Sequence, residues 1–331
     1  MEIPENIIPL KLNLKSTPDL AAIINRQCSN SSILSLKRGP FEGSVQILPL
    51  DNIRLSLMEF NKDVVIAANR KGDNYHFCIN LSEEPFAHKV FAQGVRIEQT
   101  AVFGFNTGLK DLDLRLDAGC RFCSITVPSS LLIQKLSQCD YAVMQNILNN
   151  FNILSNRVVS SSLFSYLNDL WAHLDDAPLL PRSIEDKILT ILFECFLSSD
   201  DRKVGLALSR RDRHEAALQV LSLTSASPVT PFEVQDLCSL LHQSRTSLFN
   251  GCKEKFNMSP LQVVRSIRLH QVRHALLDVE FCAKNNINGV LDAASFFGFV
   301  GRSHFTRYYK QEFQETPAQT LGGRRQSDQI F

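Results

Sequence analysis

The chain has 331 residues, 44% of them hydrophobic and 21% charged, and a net charge of +1. That is enough chain for two or three domains with their own cores, too apolar for disorder throughout, and too nearly neutral for total charge to name a partner. The nine cysteines are scattered and odd in number, which excludes a plain disulfide framework and reads as reduced thiols.

In chain order, Met1–Leu10 contains two Glu and two Pro and lacks the basic and apolar regions of a signal peptide. No apolar run approaches bilayer length, so a cytoplasmic protein with no membrane partner is expected. Asp19–Asn25 reads as a short helix or strand. From Ile33 to Val127 the pattern is of strands: Ser44–Leu50, Ile53–Glu59, Asp63–Ala68, Tyr75–Leu81, Val95–Gln99, Ala101–Phe105, Leu112–Leu116 and Phe122–Val127. They are split by Gly, Asp, Asn and Pro, as in a sandwich or small barrel. Cys120 and Cys123 are the only close cysteine pair. No further ligands stand near them in sequence, so they read as structural.

At Pro128 the period changes. Helices are expected at Ser129–Leu136, Tyr141–Asn149, Ser160–Leu174, Ser183–Ser198 and Arg202–Leu223, with a linker over Asp175–Pro181. They either pack on the strand region or form a helical domain with its own core.

Beyond a break at Ser225–Thr230 the chain carries 12 Lys and Arg against 9 Asp and Glu, a weak tilt toward an anionic partner. Thr230-Pro-Phe-Glu233 reads as a capping box with Pro at the first helical position. A short helix follows, with Val234, Leu237, Cys238 and Leu241 on one face, and His242-Gln243 turns the chain. Ser244 is placed to cap a second helix, in which Leu248, Cys252 and Phe256 share a face. Arg245, Thr246, Asn250 and Lys253 fall largely on the other. A long helix is expected from Leu261 to about Phe281. The arrangement then repeats: Val290, Ala293, Ala294 and Phe297 form a short helix, and Gly298-Phe299 turns it. A helix from about Arg302 buries Phe305, Tyr309 and Phe313 and presents Arg302, Ser303, His304, Thr306, Arg307 and Lys310. Thr316-Pro317 closes the unit. Two such units suit two helices set in successive major grooves of double-stranded DNA, roughly 34 Å apart. Arg and Asn would read base edges, and Lys and Ser would hold phosphates.

Residues 230–322 resemble the DNA-binding domain of AraC/XylS-type transcription regulators. The residues that carry the resemblance are Ser244, Leu248 and Met258-Ser-Pro260; Arg268-Leu269, Arg273 and Ala275-Leu-Leu277; and Ala293-Ala294, Gly298-Phe299, Ser303-His-Phe305, Arg307, Tyr309-Lys310, Phe313 and Thr316-Pro317. This chain departs from the family at three positions. Asn250 stands where Arg is usual, Cys252 where an aromatic is usual, and Asn257 where Gly is usual. Asn is the best substitute for Gly where positive φ is wanted. The stretches Arg245–Asn250 and Ile267–Arg273 are similar to the ethanolamine-utilisation regulators, which respond to ethanolamine with a cobalamin cofactor.

The resemblance implies an α+β architecture: an N-terminal cupin-like barrel or sandwich with associated helices, and a C-terminal all-α domain of two helix-turn-helix units joined by a long helix. The expected division is 1–128 sensor, 129–224 helical dimerisation or linker region, 225–323 DNA-binding domain and 324–331 tail. It also implies promoter DNA and RNA polymerase as partners, an activating role, and a homodimer formed through the N-terminal region. For a small-molecule effector, Arg54, His76 and Arg96 are candidate lining residues, with His88 and Arg121 beside them. His270 and His274 have helical ligand spacing but read as packing or phosphate contacts. The sequence has no phosphate loop, dinucleotide fingerprint, nucleophile elbow or zinc-protease His pair, so an enzyme is not expected. The alternatives are a regulator switched by a protein partner or by abundance, and, further off, a structural nucleoid protein or a cupin enzyme.

Overall fold

The computed structural model describes residues 9–84, 87–136, 141–156, 158–174, 180–198, 203–205 and 212–327. In chain order the elements are β1 (Leu10–Leu14), α1 (Thr17–Ile24), β2 (Cys28–Ser35), β3 (Gly43–Pro49), β4 (Arg54–Phe60), β5 (Val64–Arg70) and β6 (Asn74–Asn80). Then come β7 (Val90–Ala92), β8 (Val95–Ile97), β9 (Val102–Phe103), β10 (Asp111–Leu116), β11 (Phe122–Pro128), α2 (Ser129–Leu136), α3 (Tyr141–Asn150), β12 (Ile153–Ser155), α4 (Val159–Ala172), α5 (Pro181–Leu197) and β13 (Lys203–Gly205). The rest is helical: α6 (Asp212–Ala226), α7 (Val234–Leu240), α8 (Arg245–Phe256), α9 (Pro260–Leu277), α10 (Val279–Lys284), α11 (Val290–Phe296), α12 (Arg302–Phe313) and α13 (Pro317–Ser327). The protein is thus α+β, sheet-rich first and helical last. Most of the expected linker over Asp175–Pro181, the first eight residues, and residues 328–331 of the expected tail lie outside the described residues.

The chain forms two compact units. One comprises Met1–Asn13, Gly43–Asn61 and Arg70–Ser209; the other comprises Leu14–Glu42, Lys62–Asn69 and Arg210–Phe331. Residues 14–42 and 62–69, which fall inside the expected 1–128 sensor region, therefore belong with the C-terminal helices.

In the first unit the strands run in the order β1-β3-β4-β11-β6-β9-β12-β13. β11 is central, with Ile125 opposite Leu55 of β4 and Phe77 of β6. β7, β8 and β10 form a separate antiparallel ladder. Alternate residues of the central strands (Leu55, Phe77, Ile125, Val127) are buried together with Leu163, Leu167, Ile188 and Phe196 of α4 and α5. Phe196 meets Phe77 and Phe105 edge-on at 5.7 and 5.0 Å between ring centres. Helices α2 to α5 thus cover a sheet face and share its core. Glu185 of α5, 4% exposed, accepts hydrogen bonds from the Asn52 backbone and side chain at 2.7 Å and from the Ile53 backbone at 3.2 Å, which pins α5 to the β3–β4 turn.

One expectation needs correction here. The helix expected over Arg202–Leu223 is replaced by β13 and then α6, because Val204 pairs with Leu154 of β12 and sheet pairing overrides the local helical pattern. β12, which that pairing requires, had no signal of its own.

In the second unit Asp19–Asn25 resolves as α1. Ser16 caps it, and the Asp19 carboxylate accepts from the Ser16 backbone at 2.8 Å. Leu34 of β2 and Val65 and Ala67 of β5 are buried with Ala216, Val220 and Leu221 of α6 and with Leu248, Cys252 and Ile267. β2, β5 and α6 thus supply one wall for the first helix-turn-helix unit. A second core holds Leu269, Val272 and Leu276 of α9 with Ala293, Phe297, Phe305, Tyr309 and Phe313. α9 contributes to both cores and so joins them.

Candidate nucleic-acid interface

The first helix-turn-helix unit is α7, a turn and α8. The expected capping box at Thr230 is not the one used. α7 starts at Val234, and the Glu233 N–H donates to Asp236 Oδ2 at 2.8 Å. Thr230 instead gives its carbonyl to the Arg268 guanidinium. Arg268 is 7% exposed and lies 6.0 Å from the Phe232 ring. A buried guanidinium needs acceptors, and the Thr230 carbonyl supplies one. The turn places His242 at φ 51°. Ser244 caps α8 as expected, accepting from the Ser247 N–H at 3.1 Å.

The second unit is α11, a turn with Gly298 at φ 76°, and α12. α8 and α12 are both 12 residues long, and each ends on a left-handed residue, Asn257 at φ 57° and Gln314 at φ 61°. Each is followed by the same start signal. Ser259 and Gln262 cap α9, and Thr316 and Gln319 cap α13. Thr316-Pro317 therefore opens a helix that the sequence reading missed, rather than closing the unit. The long connecting helix also stops earlier than expected, at Leu277, because Asp278 caps α10 by accepting from the Phe281 N–H at 2.9 Å.

Position for position, the two helices present matching faces. Arg245, Thr246, Asn250 and Lys253 correspond to Arg302, Ser303, Arg307 and Lys310, and all eight are exposed, as are Ser244 and His304. Thr306 is half-buried. The inner faces correspond as Leu248, Cys252 and Phe256 against Phe305, Tyr309 and Phe313, all buried. Arg307 Nη2 lies 3.1 Å from His304 Nδ1 and stacks over Tyr308 at 5.2 Å, which holds its guanidinium near the surface.

The basic groups of α9 are used differently. Arg273 pairs with Glu315 at 2.6 Å, and Arg265 stacks on Tyr308 at 4.1 Å. His270 is 2% exposed and lies 3.7 Å from Glu312. Burial pushes the Glu312 carboxyl up. The His270 imidazole, the Ser266 hydroxyl at 2.9 Å and the Arg38 guanidinium outweigh burial and hold it below its ordinary value. His270 and His274 thus have packing roles, His274 Nδ1 lying 3.1 Å from Asp19.

A glycine that the sequence reading passed over sets the approach of α6 to α8. A Cβ at Gly251 would overlap the Arg213 carbonyl. Glycine in a helix interior is disfavoured by about 1 kcal/mol against alanine, and that cost was the available signal.

In the first unit, Arg54 and His76 flank Thr126 of β11 in register, and Thr126 Oγ1 lies 3.3 Å from His76 Nδ1. Burial, with Arg70 and Arg54 nearby, lowers the His76 imidazole to about 4. The space beside it is only about 10 Å³, room for one water. Arg96 lies on β8, in the ladder apart from that sheet. His88 is held by the Ala118 carbonyl at 2.7 Å and Arg121 by Asn168 at 2.7 Å. Cys120 and Cys123 are buried, and burial pushes both thiols up to about 12. Among the described residues no group of three His, Cys, Asp or Glu is placed to hold a metal ion, and no helix is long and apolar enough to cross a membrane.

Residues 237–323 match a family described as a helix-turn-helix domain. Over 124 residues the chain is 36% identical to the regulatory protein HrpB of Ralstonia nicotianae, a stretch that is 38% of this chain and 24% of that protein. The chain thus spans about a quarter of that relative's length. It is also similar to the crystal structure of the AraC-like transcriptional activator CuxR, with TM-score 0.41 and 15% identity over 80% of this chain and 96% of that one. A probable AraC family transcriptional regulator from Rhodopseudomonas palustris CGA009 matches with TM-score 0.30 and 26% identity over 33% of this chain and 97% of that one.

Proposed function

We propose that the protein is a sequence-specific, double-stranded DNA-binding transcription regulator of the AraC/XylS type. In this reading α8 and α12 enter successive major grooves. The observation that carries it is the matched exposed face of the two helices, each with an Arg in its first turn and a Lys near its end, above a buried apolar face. Arg265, Arg268 and Arg273 of α9 turn to a ring, a backbone carbonyl and a carboxylate, whereas Arg245, Lys253, Arg302, Arg307 and Lys310 of α8 and α12 are exposed. Arg245, Asn250, Arg302 and Arg307 are the base readers, with Arg suited to guanine and Asn to adenine. Ser244, Thr246, Lys253, Ser303, His304, Thr306 and Lys310 position the phosphates. α12 begins at Gly301, which offers no side-chain cap. Its first N–H groups are therefore left for a phosphate oxygen.

Promoter DNA, RNA polymerase and a second copy of the chain are the partners this reading implies, with activation as the expected effect. The likeness to ethanolamine-utilisation regulators rests on the wording of α8 and α9, and no ligand comes with it. For the sheet-bearing unit a second reading is favoured, in which it does not hold an effector beside Arg54 and His76. The packed Phe77, Phe105 and Phe196 and the single-water space at His76 support that reading.

The test is selection of genomic fragments by the purified full chain at stated salt. The expected result is a shared site with two blocks about one helical turn apart. Arg302→Ala and Arg307→Ala should each cost roughly 1–3 kcal/mol of specific binding, and Asn250→Ala should change preference at one or two bases by a similar amount. Bound fragments with no common sequence, or operator affinity untouched by both arginine changes, would reject the reading.

A further inference from the structure

The second unit contains a cavity of about 480 Å³ that the DNA-reading helices do not use. It lies where α1 and β2 face α9, α10 and α11. Its size is that of small-molecule sites, and far above the voids of a close-packed interior. Phe281, Phe296 and Phe297 form an aromatic wall: Phe281 stacks with Phe297 at 6.2 Å and meets Phe296 edge-on at 5.9 Å. Ile33 of β2 and Ile267 of α9 add aliphatic surface.

Two residues of the lining carry a buried oxygen without a hydrogen-bond partner, Ser31 Oγ and Gln271 Oε1. Ser31 is 9% exposed, and its N–H is fixed by Asn25 Oδ1 at 3.0 Å. Leaving such groups unmade is costly, so two of them beside one cavity point to polar ligand atoms that complete the site. The single ionisable lining group, His274, already faces Asp19 at 3.1 Å and Ser16 at 3.3 Å. It therefore asks for no ligand charge.

We propose that this cavity binds an uncharged, largely apolar small molecule, aromatic in part, whose hydroxyl or amide N–H donates to Gln271 Oε1 and whose oxygen accepts from Ser31. Gln271 and Ile267 lie on α9, which contributes to the cores of both helix-turn-helix units. Resting on the DNA-binding reading above, the molecule is an effector: it braces α1 against the helix that sets the spacing between α8 and α12.

The experiment uses 2-naphthol and naphthalene as probes, titrated into the full chain without DNA and followed by probe fluorescence. Saturable binding is expected, with 2-naphthol about fivefold to tenfold tighter than naphthalene, the worth of one hydrogen bond. Ala21→Trp, which fills the cavity from α1, should weaken both probes at least tenfold. Gln271→Leu should erase the advantage of 2-naphthol while keeping naphthalene, and it serves should the tryptophan variant fail to fold. No saturable binding, equal affinity for the two probes, or binding indifferent to both variants would overturn the proposal and leave a water-filled cleft. Because DNA is absent, failure here is distinct from failure of the operator test.

Discussion

The two helix-turn-helix units share a plan and differ in what holds them together. The second fills its core with its own aromatics: Phe305 meets Tyr309 edge-on at 5.7 Å between ring centres, and Tyr309 meets Phe313 at 4.7 Å. Tyr309 also hydrogen-bonds Thr320 at 2.9 Å. The first has Leu248, Cys252 and Phe256 at the matching places and recovers the missing volume from outside, from Leu34, Val65 and Ala67 and from α6. The turns differ likewise, Gly298 in one and His242 in the other, both left-handed. Two copies of one motif can therefore have separate stabilities, one set internally and the other by what docks on it.

The largest test of that difference is Phe305→Ala, which should cost about 3–5 kcal/mol by removing a fully buried ring. Hydrogen exchange on the full chain should show α11 and α12 losing protection while α7 and α8 keep theirs; equal loss in both units would mean a single cooperative core. Next comes Gly251→Ala, expected to cost about 1–3 kcal/mol by forcing α6 from α8. Here protection should fall first in α6 and α8. If the two helices held their protection, the close approach at Arg213 would not be a constraint.

A comparable effect is expected at Glu312, whose counterpart in α8 is Lys255. The Glu312 carboxyl is held below its ordinary value in the folded chain, so it contributes stability at neutral pH that is lost as pH falls through its folded value. Glu312→Gln should cost about 1–3 kcal/mol at pH 7. The gap to the parent chain should close in the acid limb, below the usual carboxylate range. A gap independent of pH would assign the loss to packing alone. Smallest is His242→Gly, which should stabilise α7 and α8 by about 1 kcal/mol by relieving a left-handed non-glycine, read as a rise in their exchange protection; a fall would show that the imidazole has a role in the turn.

Much of this was legible in the sequence where the signal is local. The inner faces of α8 and α12, the Ser244 cap, the turn glycine at Gly298 and the eight expected strands all follow from period, capping chemistry or backbone freedom. Thr230 was misread because its capping box is locally sound, as is the Glu233–Asp236 box three residues on that starts α7. β13 was misread because its partner β12 lies about fifty residues earlier. α13 was missed because Thr-Pro marks a stop and a start equally well.

The sequence by itself determined that two like helices with basic outer faces lie in the C-terminal part of the chain, because amphipathic spacing is written residue by residue. Only the tertiary structure decided that β2 and β5 leave the strand-patterned half to wall the first of those units, that Gly251 is a contact point, and that Ser31 and Gln271 share one cavity. Those facts depend on residues distant in sequence becoming neighbours, and burial and close approach are properties of the pair, which no single stretch of chain encodes.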